Sequence, residues 1–303
     1  MSASSVLASI ARQPSLAYYY AQKGVRSLGV RNVLGAAVAG MVAARAGSTA
    51  RDCGAAQAAH TLQESGICFL PQLDLGPQQL AHIRASLRGK PVFDWYGSQH
   101  AYDIDQHVPP EQVKLGYRTS DLLACEPLLR LANSPLILDA VTQVLGARPT
   151  ISWFESWWTL GEHHAPGRTY FDDVYHRDVD DLRFVKLFVY LTDTGLANGA
   201  HSFVRGSHRD AALTRRGPIS DEEVRAVFPA QDILTITGKA GTVFLENTWG
   251  IHRPLLATEG RRLIFSALYS LTPWVPRGPN AGGAGAMPPG LDPYVNRALF
   301  SRA

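Results

Sequence analysis

Cysteine is scarce in this chain: Cys53, Cys68 and Cys125 are the only three in 303 residues, at unrelated spacings and with no C-x-x-C. That excludes a disulfide framework and a thiolate zinc site, and it fits buried thiols in a reducing, cytoplasmic setting. Long apolar runs are missing too. The Ala-rich run Val33 to Ala44 covers 12 residues, short of the ~20 that a bilayer crossing takes. A net charge of +3 is too small to imply a nucleic-acid partner. Acidic residues are absent before Asp52, whereas Arg12, Lys23, Arg26, Arg31, Arg45 and Arg51 all precede it. No secretory order of charged, apolar and cleavage regions occurs there. Residues 1–51 therefore read as a basic extension. They either pack as helices on the domain or lie peripherally on a membrane surface. A transit segment, which would make the location organellar, and simple disorder are the other readings.

What is present is the composition of a soluble globular protein, 46% hydrophobic and 18% charged, with one elaborated domain expected over 52–303. Helical spacing comes first: Ala55 to Glu64, Gly76 to Leu87, and two stretches between Pro127 and Leu145 that Gly146 closes. A short apolar strand, Gly66 to Pro71, interrupts them. The period then changes to two. Ile151 to Thr159, Phe184 to Thr192, Gly241 to Glu246 and Arg261 to Leu271 read as strands, with turns at Asn198-Gly199 and Arg205-Gly206-Ser207. Helices followed by strands predict an antiparallel barrel or sandwich carrying a helical layer. Gly278 to Gly290 reads as a mobile loop, and Tyr294 to Phe300 as a short final helix.

The chemistry-bearing pattern is His176-Arg177-Asp178, with His252 following 76 residues after the first histidine and Arg262 ten residues after that. Two histidines and one carboxylate on a strand end form the protein half-shell typical of non-haem Fe(II), with positions left open. An arginine beyond the second histidine suits a carboxylate-bearing co-substrate. The same tripeptide opens the catalytic loop of protein kinases. A kinase, however, needs Asn where Arg183 stands, together with a glycine-rich loop and an Asp-Phe-Gly that this chain lacks. In Phe184 to Thr192 one face is Val185, Leu187, Val189 and Leu191. The other carries Lys186, Phe188 and Tyr190, and would line the interior. An interior Lys186 needs an anion, either the co-substrate or a substrate group. His163-His164 read as surface or lid residues, His201 and His208 as structural hydrogen-bonders, and Trp153, Trp157 and Trp158 as core.

Tyr175 to Asp178, Leu187 to Asp193, Asn198 to His208, Gly241 to Leu245, His252 and Gly260-Arg261-Arg262 together resemble the phytanoyl-CoA dioxygenase family. The resemblance runs from about Leu62 to Leu271. It implies a double-stranded β-helix of the jelly-roll, cupin-like kind, mainly β with N-terminal helices. It implies Fe(II) held by His176, Asp178 and His252, and O2 and 2-oxoglutarate as co-substrates. The far carboxylate of 2-oxoglutarate would pair with Arg262, assisted by Ser266, with Arg261 as the competing arginine. Oxidative decarboxylation to succinate would then drive hydroxylation of a small molecule. Arg205 stands where the family usually has proline, outside the metal shell. Lys186, Phe188 and Tyr190 are candidate substrate or co-substrate contacts, and Arg183, Tyr170, Asp172 and Asp173 are further polar candidates. A cupin-type metalloenzyme without 2-oxoglutarate and a non-catalytic jelly-roll binding module remain as alternatives.

Overall fold

The computed structural model describes residues 16–46, 53–95, 100–164, 174–215, 217–273 and 285–300, together with 6, 10, 11 and 13. Tyr170, Asp172, Asp173 and residues 278–284 lie outside these; 285–290 form no regular element. Helices α1 (Leu16–Gly24), α2 (Leu28–Ala46), α3 (Cys53–Ser65), α4 (Pro77–Leu87), α5 (Thr119–Leu123), α6 (Glu126–Ala132) and α7 (Pro135–Leu145) belong to the first half. Prolines start α4, α6 and α7, where their missing N–H costs nothing. Gly146 ends α7 in the left-handed region (φ 79°), its amide bonded back to Thr142 O at 2.9 Å.

The strands form two antiparallel sheets. The larger runs β1 (Ile67–Phe69), β9 (Val243–Glu246), β6 (Phe184–Tyr190), β11 (Arg261–Ser270), β5 (Thr150–Leu160), β4 (Lys114–Tyr117), β2 (Val92–Asp94), β3 (Ala101–Tyr102). The smaller runs β10 (His252–Pro254), β7 (His201–Val204), β8 (Ile233–Ile236). Helix α8 (Asp221–Val227) sits between β7 and β8 in sequence, capped by reciprocal Ser220 and Glu223 bonds. Strand β11 is the spine, paired with β5 on one side and β6 on the other.

Alternation along these strands separates two cores. Val185, Leu187 and Val189 of β6, Val243 and Leu245 of β9, and Phe265, Ala267 and Tyr269 of β11 point outward beneath the helices. They meet Leu62, Ile83, Leu128 and Val141 there, and each fully buried side chain of this size contributes roughly 1.5–3 kcal/mol. The opposite face carries Phe188, Tyr190, Phe244 and Ile264, which join Phe203 and Ile236 from the smaller sheet. The space between the sheets is therefore apolar at one end and open to polar groups at the other.

Helices α1 and α2 rest on the domain. Leu16 and Tyr19 are buried with Phe184, Trp249 and Leu268, and Arg31 lies 4.1 Å over the Trp249 ring. No helix among the described residues is long and apolar enough to cross a membrane. Two expectations need correction. Residues 294–299 form turns rather than a helix, because the backbone bonds there mix spacings of three and four, Asn296 to Asp292 O, Leu299 and Phe300 to Asn296 O, and no regular ladder builds up. His201 lies within a strand, β7, which the turn signals around it concealed. Cys68 and Cys125 are buried free thiols.

His208, 7% exposed, donates from Nε2 to Gln63 O at 2.9 Å, tying the smaller sheet's turn to the end of α3. Burial lowers its imidazole from 6.5 to about 4. The unfolded chain therefore takes up this proton first, and folding loses stability as pH falls from 6.5 toward 4, on the order of 2–3 kcal/mol in total. Denaturant melts at pH 7.5 and pH 4.5 should show that loss in the wild type and a correspondingly smaller one in His208→Gln.

Candidate metal and co-substrate site

Two backbone hydrogen bonds assemble the site. The His176 amide donates to His252 O at 3.0 Å, and the His252 amide to His176 O at 3.1 Å. This bridge joins the loop before β6 to β10 of the smaller sheet. Asp178, two residues on, is anchored by its amide to Thr248 O at 2.9 Å and returns to the same side as His176. The His176 and His252 rings lie 4.5 Å apart. Asp178 comes within 3.8 Å of His176 Nε2 and 3.5 Å of His252 Nε2. One ligand atom from each of the three falls within 4.8 Å of the others, the spread expected around a single ion.

The imidazoles are pre-oriented. His176 Nδ1 bonds to Val174 O and His252 Nδ1 to Gly250 O, both at 2.9 Å. A carbonyl can only accept, so each Nδ1 carries the hydrogen and each Nε2 offers its lone pair to the shared centre. Arg177 points away from the centre, 9% exposed. Its guanidinium donates to the carbonyls of Ser207, Trp249, Ala212 and Leu213 at 2.7–3.1 Å, which ties the ligand loop to three neighbouring segments.

Charge around Asp178 is compensated inside the protein. Lys186 Nζ lies 2.6 Å from Asp178 and 3.0 Å from Asp180. Burial disfavours the ammonium, but Asp178, Asp180 and Glu155 outweigh it and hold Lys186 protonated. Burial likewise pushes the Asp178 carboxyl up, yet Lys186, His252 and His176 hold it well below the usual range, so it is an anion ready to ligate. Asp180 is raised by burial and by Asp178. Breaking such a buried network by removing one partner typically costs ~3–5 kcal/mol. The next residue, Asp181, reaches the N-terminal helices. It accepts from Tyr18 at 2.8 Å, its carbonyl accepts from Arg31, and Gln22 donates to Val179 O at 3.0 Å. Helices α1 and α2 thus grip the segment that follows Asp178.

A cavity of about 250 Å³ opens beside the three ligands, of a size for small molecules. Arg262, 2% exposed, lies on its wall. One terminal nitrogen donates to the carbonyl of Gly199, a residue at φ 90°. The other donates to Thr159 Oγ1 at 3.1 Å, on the neighbouring strand. Arg262 Nε and Ser266 Oγ have no hydrogen-bond partner among the described residues. Buried polar atoms in folded proteins nearly always find one, so these two mark a place for an anionic guest. A carboxylate fits it. Arg261 faces outward, pairing with Glu162 and donating to Ile104 O at 2.7 Å.

The sequence-derived residues fall into place unevenly. His176, Asp178, His252, Arg262, Ser266, Lys186 and Phe188 all line this cavity. Lys186 faces the interior, but the anions it meets are the chain's own carboxylates rather than a ligand's. Tyr190 is not a wall residue. Its ring packs on Phe244 and its hydroxyl donates to Ile236 O at 2.7 Å, bridging the two sheets as a strut. Trp157 lines the cavity instead of the core, whereas Trp158 lies beneath the helices, bonded to Tyr117. His201 stacks on His252 at 5.5 Å and meets Glu246 at 2.9 Å. His164 sits at the cavity edge, and His163 bonds to Gln112 O. Arg183 is remote, bonded to Leu145 O. Asp180, Asp181, Thr159 and Glu155 escaped sequence reasoning; only the inward register of Glu155 and Thr159 on β5 could have flagged any of them.

No family model matches the sequence, and no curated protein matches it. Solved structures do. EctD from S. alaskensis in its apoform superposes with a TM-score of 0.54 at 18% identity, covering 84% of this chain and 88% of that one. The same protein with bound Fe gives 0.53 at 17% identity, covering 85% and 89%. The epimerase SnoN, in complex with Fe3+, alpha ketoglutarate and nogalamycin RO, gives 0.51 at 18% identity over 71% and 82%. The fold is a double-stranded β-helix with a helical layer. At these identities the likeness speaks for the fold, and the larger and smaller sheets are its two walls.

The two arginines make opposite predictions. If the cavity takes 2-oxoglutarate beside a metal, Arg262→Ala should weaken its binding tens-fold or more, because the variant would strip a buried carboxylate of its partner. Arg261→Ala should leave it within about twofold. Calorimetric titration distinguishes them, and the reverse ranking would reassign the site.

Proposed function

We propose that this chain is an Fe(II)- and 2-oxoglutarate-dependent oxygenase of the phytanoyl-CoA dioxygenase type that hydroxylates a small molecule. The observation that carries this reading is the pairing of two features across one cavity: a convergent His176, Asp178, His252 set and the partnerless Arg262 Nε with Ser266 Oγ. A cupin-type metalloenzyme without 2-oxoglutarate has no use for a buried arginine facing inward, and a binding module has no use for an open metal face. The iron reported in EctD, and the Fe3+ with alpha ketoglutarate reported in SnoN, support the same reading.

In this proposal His176 and His252 would hold iron through Nε2 and Asp178 through one carboxylate oxygen. Lys186 keeps the other Asp178 oxygen engaged, which limits rotation of the ligand and keeps it ionised. Arg262, Ser266 and Thr159 would hold the far carboxylate of 2-oxoglutarate. Iron with 2-oxoglutarate and O2 supplies the oxidation of an unactivated C–H bond. Trp157, Phe188, Leu255 and Ile264 form apolar wall that excludes water from the reacting centre. Purified protein supplied with Fe(II), 2-oxoglutarate and a metabolite library should form succinate in step with consumption of one substrate. His176→Ala and His252→Ala should lose both bound iron and succinate formation. Wild-type iron content in both variants would refute the assignment.

The exposed side of α2 supports a second role at the same time. Val30, Val33, Leu34 and Met41 stand 41–70% exposed on one side of the helix, opposite buried Arg31 and Ala39, and the segment through residue 51 contains no acid. We propose that this face rests on an anionic lipid surface, with Arg26 beside it. The full chain should float with phosphatidylserine-containing vesicles and not with phosphatidylcholine alone, and Val33→Glu should abolish flotation. Self-association through this face without lipid binding would overturn the proposal.

A further inference from the structure

Two carboxylates line the cavity, and the reaction proposed above uses only one of them. Asp178 belongs to the metal set. The other, Glu155, lies on the inner face of β5, directly across from Ser266 on β11. Its side chain accepts no hydrogen bond and forms no ion pair among the described residues. Its neighbours two residues away on the same face are Trp153 and Trp157, and the cross-strand pairing continues from Ser266 to Phe188. The surroundings are aromatic, and water cannot solvate the carboxylate fully there.

The cations nearby are already committed. Lys186 is held by Asp178 and Asp180, and Arg262 would be matched by the far carboxylate of 2-oxoglutarate. Lys114 lies opposite Thr159 in the register, with its ammonium 4.4 Å over Trp95 and 5.0 Å from the centre of Trp157. Burial pushes the Glu155 carboxyl up to about 7, against the pull of Lys186 and Lys114. Lys186 and Lys114 act on this acid at a distance, and no positive group touches it among the described residues. A partner in contact has to come from whatever enters the cavity.

Metal ligands and Arg262 flank the part of the cavity under β11 and β6, where the co-substrate would lie. Glu155 and Trp157 of β5, Lys114 of β4 and Trp95 form part of the wall beside it, with Glu155 in register with Ser266 and Lys114 and Arg262 both in register with Thr159. Ring faces of tryptophan attract cations, worth ~0.5–2 kcal/mol each, and Lys114 shows that these rings already hold one ammonium.

Resting on the oxygenase reading, we propose that Glu155 is a specificity-determining residue that anchors a protonated amine, so that the substrate is a small cationic molecule. The carboxylate takes the ammonium, the tryptophan faces flank it, and the carbon to be oxidised lies toward the metal ligands. A hydroxyl at the same place would leave the buried charge uncompensated, which is the basis of selection.

The test uses the full chain loaded anaerobically with Fe(II) and 2-oxoglutarate and titrated by calorimetry with n-hexylamine and with 1-hexanol, a matched pair differing only at the head group. The wild type should bind the amine at least tenfold more tightly than the alcohol. Glu155→Gln, nearly isosteric, should lose that preference while keeping its melting temperature and its affinities for Fe(II) and 2-oxoglutarate. Equal binding of amine and alcohol by the wild type would overturn the proposal, even if the variant failed to fold. So would a Gln variant that keeps the preference. Absence of 2-oxoglutarate binding by the wild type is a separate reading; it would overturn the oxygenase assignment and this proposal with it.

Discussion

Everything in the site depends on a short antiparallel bridge between His176 and His252. Its two backbone hydrogen bonds, at 3.0 and 3.1 Å, join segments far apart in sequence. Side chains opposite one another on such a bridge are neighbours by geometry. The ring separation of 4.5 Å follows, and Asp178 needs only the alternation of an extended chain to reach the same side. The metal face is thus a consequence of sheet closure. If the smaller sheet did not fold back on the larger, three dispersed residues would share no site.

A second constraint is electrostatic. Gathering Asp178, Asp180 and Glu155 around Lys186 beside the cavity concentrates charge where water is excluded. A buried cluster is tolerable when its members compensate one another, and Lys186 compensates two carboxylates at once. Arg177 contributes differently, with four carbonyls around one guanidinium. One residue thus neutralises the ligand loop and the other fastens it. Helices α1 and α2 extend the fastening through Tyr18, Gln22 and Arg31, so the basic N-terminal segment is mechanically linked to the loop carrying a candidate ligand.

Legibility differed by the kind of signal. The change of period from 3.6 to 2 near Gly146 carried the order of helices and strands, because both periods are local properties of the backbone. Alternation along Arg261 to Leu271 separated Arg262 from Arg261, and they do face opposite ways. Alternation also turned Lys186 inward but could not name its partner, since Asp178 and Asp180 reach it from a loop without periodicity. It also turned Tyr190 inward, where the ring packs on Phe244 and the hydroxyl bonds to the second sheet. Strands as short as β2, β3, β7 and β10 left no pattern long enough to read. Trp157 and Trp158, adjacent in sequence, parted to opposite faces, and composition alone had grouped them in the core.

Local chemistry by itself determined the ligand types, their spacing, the inward register of the long strands, and the helix ends set by proline and glycine. Those features depend on bonded geometry and on a few neighbouring residues. Only the tertiary structure decided that Glu155 makes no hydrogen bond or ion pair among the described residues, that Asp180 shares Lys186, and that α1 grips Asp181. Each of these is a statement about what lies across a sheet or beneath a helix. The free energy of a buried charge is set by its surroundings in space, and sequence position does not encode them.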